Sequence, residues 1–281
     1  MNLFRIQILN YLSDDPQVRD IRLRTHHEQL KWWTDRTQLD ITVYAMNYSP
    51  GDYFVHPRVT YRDLPKTPTG QAYNLRFEDL YASDYHYGIM MDDDAILYDH
   101  SSSYRMFEEM SSHITDYWDI DVMFPICPAR MPFNHLLTKH KGDVNHIFIP
   151  NKSLKGTMYV VKNFRKFSES ELYTDPSFTL GEDVQTAFEA LCLGKHVYMT
   201  PSMVLKEYNH KSSHFVADHN TSGSVDGVIV SHKIADKYAG FGLQYDGSRY
   251  NTREFMKKIW PDKKTLLIPK NGVGLDPELW G

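Results

Sequence analysis

The junction between an apolar run and three aspartates constrains this chain more than any other part of its sequence. Gly88-Ile89-Met90-Met91 is apolar throughout, and Asp92, Asp93 and Asp94 follow it directly. A continuous apolar run is typical of a parallel strand that is buried on both faces. Ligands of open α/β sheets bind outside the carboxyl ends of such strands, so we expect the three acids at an active-site edge.

Three adjacent carboxylates repel one another unless a positive group lies between them. A hard divalent cation, which binds oxygen ligands and phosphates, relieves this repulsion. The acidic run therefore predicts a metal site with a phosphorylated ligand. The alternative that stays open is a polar turn that only closes the strand, because aspartate also favours turns and helix caps.

The composition is that of an ordinary globular protein. The chain has 281 residues, 41% hydrophobic and 24% charged, which suits one large α/β domain or two small ones. It has no apolar stretch of about 18 residues, and its start lacks the order of a secretion signal, so we expect a cytoplasmic protein without a membrane partner. Cys127 and Cys192 lack metal-ligand spacing, which argues against a zinc site or a disulfide framework.

Positive charge is concentrated in one segment. The whole chain carries a net charge of −5, yet eight basic residues and one acid lie between Ala129 and Lys166. Such a segment can attract a polyanion through counterion release, although solvated surfaces without a partner show the same pattern. The candidate polyanion-binding residues in it are Arg130, Lys139, Lys141, Lys152 and Lys155.

The first hundred residues alternate strand-like and helix-like segments. Strands are expected at 4–9, 41–46 and 88–91, and helices at 24–36 and 70–81. Strands separated by helices predict βαβ units and a parallel sheet with a nucleotide-type crevice.

The middle of the chain continues this alternation with one interruption. A helix is expected at 103–114, a strand at 120–124 that stops at Pro125, and a further strand at 157–161. The proline-punctuated stretch 125–150 predicts an irregular excursion of the kind that often carries acceptor loops.

An apolar stripe at i, i+3, i+4 and i+7 from Val184 predicts a helix from Thr179 to Gly194. Thr179 and Glu182 have the spacing of a capping box, and the helix dipole favours acids in the first turn. Glu182 and Asp183 therefore have a structural explanation as well as a catalytic one. Beyond Pro201 the sequence is polar and irregular, and it ends in a mixed tail.

Taken in order, these pieces resemble the GT-A glycosyltransferases, which use nucleotide-sugar donors. The matching motifs are Met90-Met91-Asp92-Asp93-Asp94 as the DxD motif, Lys155-Gly156-Thr157-Met158-Tyr159 as the strand near the acceptor, Gly181-Glu182-Asp183 as the later acidic motif, and Asn209-His210. The likeness covers about residues 3–215. Each motif is short, and their order and spacing carry the resemblance.

The resemblance implies an α/β GT-A fold. Its Rossmann-like mixed sheet would be flanked by helices, with the irregular excursion on the acceptor side and a C-terminal tail. We expect one domain over 1–281, with a donor-binding half at about 1–100, an acceptor and catalytic half at about 101–215, and an extension at about 216–281.

The resemblance also implies a manganese or magnesium ion that bridges the two phosphates of a UDP-sugar type donor. Asp94 would be a metal ligand, Asp92 a contact to metal or ribose, and His210 a further ligand, with His214 as second choice. Three consecutive aspartates can be aligned with the DxD motif in more than one way. Asp93 is therefore kept as a donor-binding residue beside Asp92.

Three further residues are assigned by position. Asn10 and Tyr11 follow the first strand and are expected near the base of the donor, and Arg76 is expected to pair with its pyrophosphate. The plain alternatives are a packed aromatic ring for Tyr11 and an exposed helix residue for Arg76.

In an inverting member, Asp183 would be the general base that deprotonates an alcohol acceptor, with Glu182 positioning that acceptor.

The sequence indicates less about the acceptor substrate than about the donor or the metal. The chain is similar to T-even-like phage glycosyltransferases that modify hydroxymethylcytosine in DNA, of the glucosyl-hydroxymethylcytosine glucosyltransferase or arabinosyltransferase kind. This resemblance implies double-stranded DNA as partner, the host cytoplasm as location and no obligate protein partner. The open alternatives are an enzyme acting on an envelope glycan or lipid-linked sugar, a metal nuclease, and a non-catalytic metal-dependent module that binds DNA or carbohydrate.

Overall fold

The computed structural model describes a mixed sheet and the helices that cover it. The described residues are 3–93, 95–97, 121–126, 158–178, 181–195, 197–207, 225–248 and 250–259. In these ranges, no helix combines the length and the apolar character that crossing a lipid bilayer requires.

Eight strands and five α-helices lie within the described ranges. The strands are β1 (Phe4–Tyr11), β2 (Asp40–Met46), β3 (Val59–Leu64), β4 (Tyr87–Asp92), β5 (Ala95–Leu97), β6 (Val122–Ile126), β7 (Met158–Lys162) and β8 (Val197–Glu207). The helices are α1 (Pro16–Arg36), α2 (Thr69–Tyr81), α3 (Glu182–Cys192), α4 (Val225–Lys237) and α5 (Thr252–Ile259).

The strands form a sheet in the order β3-β2-β1-β4-β7-β6-β8-β5. The first four of these are parallel to one another. Strand β7 is antiparallel to both β4 and β6, while β8 is parallel to β6 and antiparallel to β5. The predicted α/β fold with a mixed sheet flanked by helices is confirmed.

Successive residues of each central strand face opposite layers of helices. In β4, Ile89 and Met91 belong to the apolar cluster that contains Trp33 of α1, whereas Met90 belongs to the cluster that contains Phe77 of α2. This period of two is the pleat of a strand. Strand β4 is therefore buried on both faces, as its unbroken apolar run predicted.

Helix α1 begins at Pro16, well before the predicted start at Arg24. The carboxylate of Asp15 caps it by accepting the backbone amides of Gln17 at 2.8 Å and Val18 at 3.2 Å. Proline suits the first helical position because its missing amide would have no partner there. The Asp-Pro pair was therefore the start signal, and the polar first turns obscured it.

Two prolines predicted to end regular structure lie inside strands. Strand β6 continues through Pro125 to Ile126, with a shift of register between these two residues. Strand β8 likewise runs through Pro201, so the expectation of irregular chain from that point was wrong as far as Glu207. Proline has no amide to donate and is accommodated where the ladder is irregular.

The start of α3 differs from the predicted capping box. Glu182 is the first helical residue, and Gly181 occupies the cap position with φ of 70°, in the left-handed region that favours glycine. The box requires Glu182 two positions further into the helix, so the expected start at Thr179 was wrong. The predicted end is confirmed, since the helix stops two residues before Gly194.

The C-terminal tail contains two helices that pack on the α2 side of the sheet. Phe255 of α5 is fully buried in the same cluster as Phe77, and Ile234 of α4 joins them. Helix α4 begins at Val225, inside a glycine- and serine-rich stretch that was expected to be irregular. The predicted helix at 103–114 and most of the excursion at 125–150 lie outside the described residues.

Close packing at the start of α2 gives a stability prediction. A Cβ atom added at Gly70 would lie 2.7 Å from the carbonyl oxygen of Phe178 and 2.9 Å from that of Asp175. The variant Gly70→Ala should therefore lose about 1–3 kcal/mol of unfolding free energy, measured by urea titration. Gly51→Ala is the matched control because nothing lies within 4 Å of its added Cβ. Equal urea midpoints for the two variants would contradict this contact.

Candidate functional site

The carboxyl ends of the four parallel strands meet at one edge of the sheet. Strands β1, β2, β3 and β4 end there at Tyr11, Met46, Leu64 and Asp92. Because α1 and α2 cover opposite faces, the strand order reverses beside β1, and a crevice of the kind that binds ligands opens at this point. Asp92 and Asp93 lie at this edge.

The first two aspartates face opposite layers. Asp92 lies on the α2 side, where the hydroxyl of Tyr73 donates to its Oδ1 at 3.4 Å. Asp93 lies on the α1 side, with its Oδ2 3.7 Å from Nη1 of Arg22. Arg22 also donates to the carbonyl of Tyr11 at 3.2 Å. Asp93 therefore already has a positive partner within the protein.

Arg76 lies beneath the edge rather than on it. Its side chain is 1% exposed, so the alternative of an exposed helix residue is wrong. Its Nη1 donates to the carbonyl of Met91 at 3.2 Å, and its guanidinium carbon is 4.0 Å from the centre of the Tyr73 ring. Burial opposes its charge, but Tyr73, Tyr159 and Asp92 keep the pKa of Arg76 above its ordinary value. A buried cation thus underlies the end of β4.

Asn10 is also enclosed. Its side chain is fully buried, and neither of its amide atoms has a hydrogen-bond partner among the described residues. An unpaired buried amide typically costs about 1–3 kcal/mol, so folded proteins seldom leave one. The predicted contact of Asn10 with the base of a donor stays a prediction.

Tyr11 lines a cavity of about 470 Å³ at the ends of β1, β2 and β3. Two further tyrosines, Tyr48 and Tyr53, line the same cavity, and their ring centres are 5.4 Å apart. Asp63, which accepts from the hydroxyl of Tyr53 at 2.9 Å, and Lys66 complete its polar wall. The predicted contact of Tyr11 with the base of a donor stays a prediction, and so does the alternative of a packed ring. Aromatic faces with charged groups beside them can hold a flat polar ring.

Sequence reasoning missed the residues of α1 that contact the acidic segment, as we call Asp92–Ala95. Arg22 pairs with Asp93, and Gln29 is a fully buried amide that donates to backbone carbonyls of this segment. The signal was present in the helix as polar residues at i and i+7, which share one face. The expected helix began only at Arg24, so Arg22 lay outside it and no contact was assigned to Gln29.

The predicted catalytic residues Glu182 and Asp183 are the first two residues of α3. Their side chains lie outside what the structure describes. Their roles as positioning residue and general base stay predictions.

Of the predicted metal ligands, Asp92 alone has a described side chain, because Asp94 and His210 lie outside the described residues. Across the described ranges, no three His, Cys, Asp or Glu side chains form a metal-binding group. The half-buried carboxylate of Asp92 at a strand end fits a Mn2+ or Mg2+ ion, since both prefer oxygen ligands.

Strands β5 and β8, which are antiparallel neighbours, each adjoin a predicted metal ligand in the sequence. Ala95, the residue after Asp94, pairs directly with Glu207, which is three residues before His210. The described part of β8 therefore ends opposite the residue that follows Asp94 in the sequence.

Three bases of the positively charged segment are described, and each already pairs with an acid. Lys162 pairs with Asp121 and Glu169, Arg165 with Glu171, and Lys166 with Asp84. Lys162 is paired in register with Tyr87, so this group is at the opposite end of β4 from Asp92. The five candidate polyanion-binding residues, Arg130, Lys139, Lys141, Lys152 and Lys155, lie outside the described residues.

No protein-family model and no curated protein sequence matches this chain. Among solved structures, it is similar to the mannosyltransferase PcManGT from Pyrobaculum calidifontis, which was solved in complex with GDP-Man and Mn2+. The TM-score is 0.51 at 13% identity, and the match covers 82% of this chain. This chain spans 64% of that protein, and at such low identity the likeness shows the fold alone. The predicted GT-A fold is confirmed.

The chain is also similar to the solved structure of S. aureus TarS. Its TM-score is 0.45 at 11% identity, with coverage of 83% of this chain and 39% of TarS. A similarity at this level does not bear on function.

Proposed function

We propose that this chain is a metal-dependent glycosyltransferase. It moves a sugar from a UDP-sugar type donor to a hydroxyl group on modified double-stranded DNA, namely hydroxymethylcytosine or its glucosylated form. The observation that carries the proposal is that Asp92 and the tyrosine-lined cavity share one edge of a GT-A sheet.

The cavity suits the nucleoside of the donor. Tyr11, Tyr48 and Tyr53 offer aromatic faces for stacking on a base, and the carboxylate of Asp63 can accept from its ring N–H. Lys66 adds a donor for a carbonyl oxygen of the base at the exposed rim. The sugar phosphates would then extend along the edge from β1 towards Asp92.

Asp92, Asp94 and His210 are the residues that would hold the metal. The register of Ala95 with Glu207 supports His210 as a ligand, since it brings the chain that leads to this histidine to the acidic segment. The bound ion supplies a Lewis acid that offsets the charge of the departing diphosphate. Asp93 is the least suited ligand of the three aspartates because Arg22 already neutralises it.

Asp183 would take the proton of the acceptor hydroxyl, and Glu182 would orient that acceptor. An alcohol is a poor nucleophile until a carboxylate within hydrogen-bond reach accepts its proton. Both residues open α3, which packs on the α2 side of the sheet, the side that Asp92 faces.

DNA as the acceptor is supported by charge. One segment of the sequence has a net positive charge, whereas the rest of the chain is net negative. This segment contains Arg130, Lys139, Lys141, Lys152 and Lys155. Phosphate contacts of this kind position DNA without reading its sequence. A glucose or hydroxymethyl group projecting from the major groove would then reach Asp183.

One experiment tests the proposed reaction directly. The protein is incubated with Mn2+, UDP-sugars and unmodified, hydroxymethylated or glucosylated DNA, or with an envelope glycan, and the products are weighed by mass spectrometry. A sugar added to digested nucleosides is the expected result. Transfer to the glycan alone would overturn the DNA acceptor, and Mn2+-dependent binding without transfer to any acceptor would favour a binding module.

Metal-binding measurements can test which of the three aspartates bind the ion. Asp94→Ala should lose Mn2+ binding in electron paramagnetic resonance titration and slow transfer about 100-fold or more, because the Lewis acid is no longer held. Asp93→Asn should keep Mn2+ binding, since its partner is Arg22. Loss of binding in Asp93→Asn with retention in Asp94→Ala would reverse the assignment.

The general base can be separated from donor binding. Asp183→Asn should bind UDP with Mn2+ as the wild type does in calorimetry, yet slow transfer by about 100-fold or more, because the amide cannot accept the proton. Asp236→Asn, an exposed acid on α4, is the control for loss of one negative charge. Undiminished turnover of Asp183→Asn would place the base elsewhere.

The DNA surface can be tested by charge reversal. Lys152→Glu combined with Lys155→Glu should weaken DNA binding and flatten the dependence of log K on log salt concentration, because fewer counterions are released. The control is Arg165→Glu combined with Lys166→Glu, which changes the net charge equally at the end of β4 away from Asp92. Identical salt slopes for the two double variants would contradict the assignment of Lys152 and Lys155 to a DNA-binding surface.

A further inference from the structure

Helix α1 turns a stripe of polar residues towards the sheet. Arg22, His26, Gln29 and Trp33 are spaced at i, i+4, i+7 and i+11, which places them on one helix face. His26, Gln29 and Trp33 are buried, and Arg22 is 10% exposed. Polar groups are rarely buried in this number unless their hydrogen bonds serve a definite arrangement.

Gln29 binds both ends of the acidic segment. Its Nε2 donates to the carbonyl of Asp92 at 2.6 Å and to that of Ala95 at 2.9 Å. Trp33 adds a second donor to the Ala95 carbonyl through its Nε1 at 3.3 Å. The two carbonyls that accept from Gln29 belong to the residues on either side of Asp93 and Asp94 in the sequence.

His26 sets the orientation of this amide. Burial lowers the pKa of His26 to about 3, so its ring is neutral. Its Nδ1 lies 3.1 Å from Oε1 of Gln29. With the ring proton on Nδ1, His26 donates to that oxygen and leaves the NH2 group of Gln29 facing the two carbonyls. A flipped amide would set its oxygen against two other oxygens, which is repulsive.

We infer that Gln29 is a positioning residue for metal binding, which holds the acidic segment so that its carboxylates meet a divalent cation in the required geometry. This inference rests on the proposed function, because it assumes that Asp92 and Asp94 bind the cation. Residues that hold ligands in place typically change metal affinity 10–100-fold when they are replaced. Mg2+ in particular demands near-ideal geometry from its ligands.

The chain contains a matched control for the loss of a buried amide. Asn163 is fully buried and donates through Nδ2 to the carbonyls of Leu80 at 2.7 Å and Tyr85 at 2.9 Å. It thereby holds the connection that enters β4, whereas Gln29 holds the segment that leaves it. Replacing either amide by an apolar residue of similar size removes the same kind of bonds at opposite ends of one strand.

The test compares Gln29→Met with Asn163→Leu. Both should lower the melting temperature, but only Gln29→Met should raise the Kd for Mn2+, by about tenfold, in electron paramagnetic resonance titrations of the protein alone and with UDP. In turnover assays, the KM for Mn2+ should rise in Gln29→Met more than kcat falls. Trp33→Phe, which keeps an aromatic ring but removes the donation to Ala95, should shift the Kd in the same direction to a smaller extent.

The outcomes separate the two proposals. Wild-type Mn2+ affinity in both Gln29→Met and Trp33→Phe, with binding lost in Asp94→Ala, overturns the role of Gln29 and leaves the metal site standing. Equal weakening by Gln29→Met and Asn163→Leu also overturns it, since general destabilisation then explains the effect. Absence of Mn2+ binding by the wild-type protein overturns the proposed function and this inference together.

Discussion

The burial of β4 on both faces is the constraint on which the site depends. A strand between two layers of helices must turn successive side chains to opposite sides, and this alternation continues into the polar residues that follow. Asp92 therefore faces Tyr73 and the buried charge of Arg76, while Asp93 faces Arg22. Two adjacent aspartates, Asp92 and Asp93, thus become chemically different groups because the pleat turns them towards different layers.

The central strands could be located from the sequence because they are rich in apolar and β-branched residues. β1, β2, β4 and β7 lie within about two residues of the expected positions. Strand β3 was missed, since Val59–Leu64 is largely polar and gains its structure from pairing with β2. The continuations through Pro125 and Pro201 were missed for the same reason, because partner strands rather than local preference decide where a ladder ends.

The candidate site could likewise be predicted only in part from the sequence. The position of Asp92 at a strand end followed from the apolar run before it. The burial of Arg76 and the contacts of Arg22 and Gln29 did not, because a polar residue on a helix gives no local sign of whether it meets solvent or a neighbouring backbone. Only the packing of α1 and α2 against the end of β4 decides this. The spacing of the polar stripe on α1 was the available clue.

The first turn of α1 is capped by a side chain of the protein itself. Folds of this kind often bind phosphate groups at the free amides of the helix that follows the first strand. Here Asp15 occupies those amides, since its carboxylate accepts from Gln17 and Val18. An anion that approaches this helix would meet a negative charge instead of open donors. If the proposed function is right, the charge of the donor's diphosphate would have to be neutralised by a cation at the end of the neighbouring strand β4, and sugar transfer would depend on the supply of that metal.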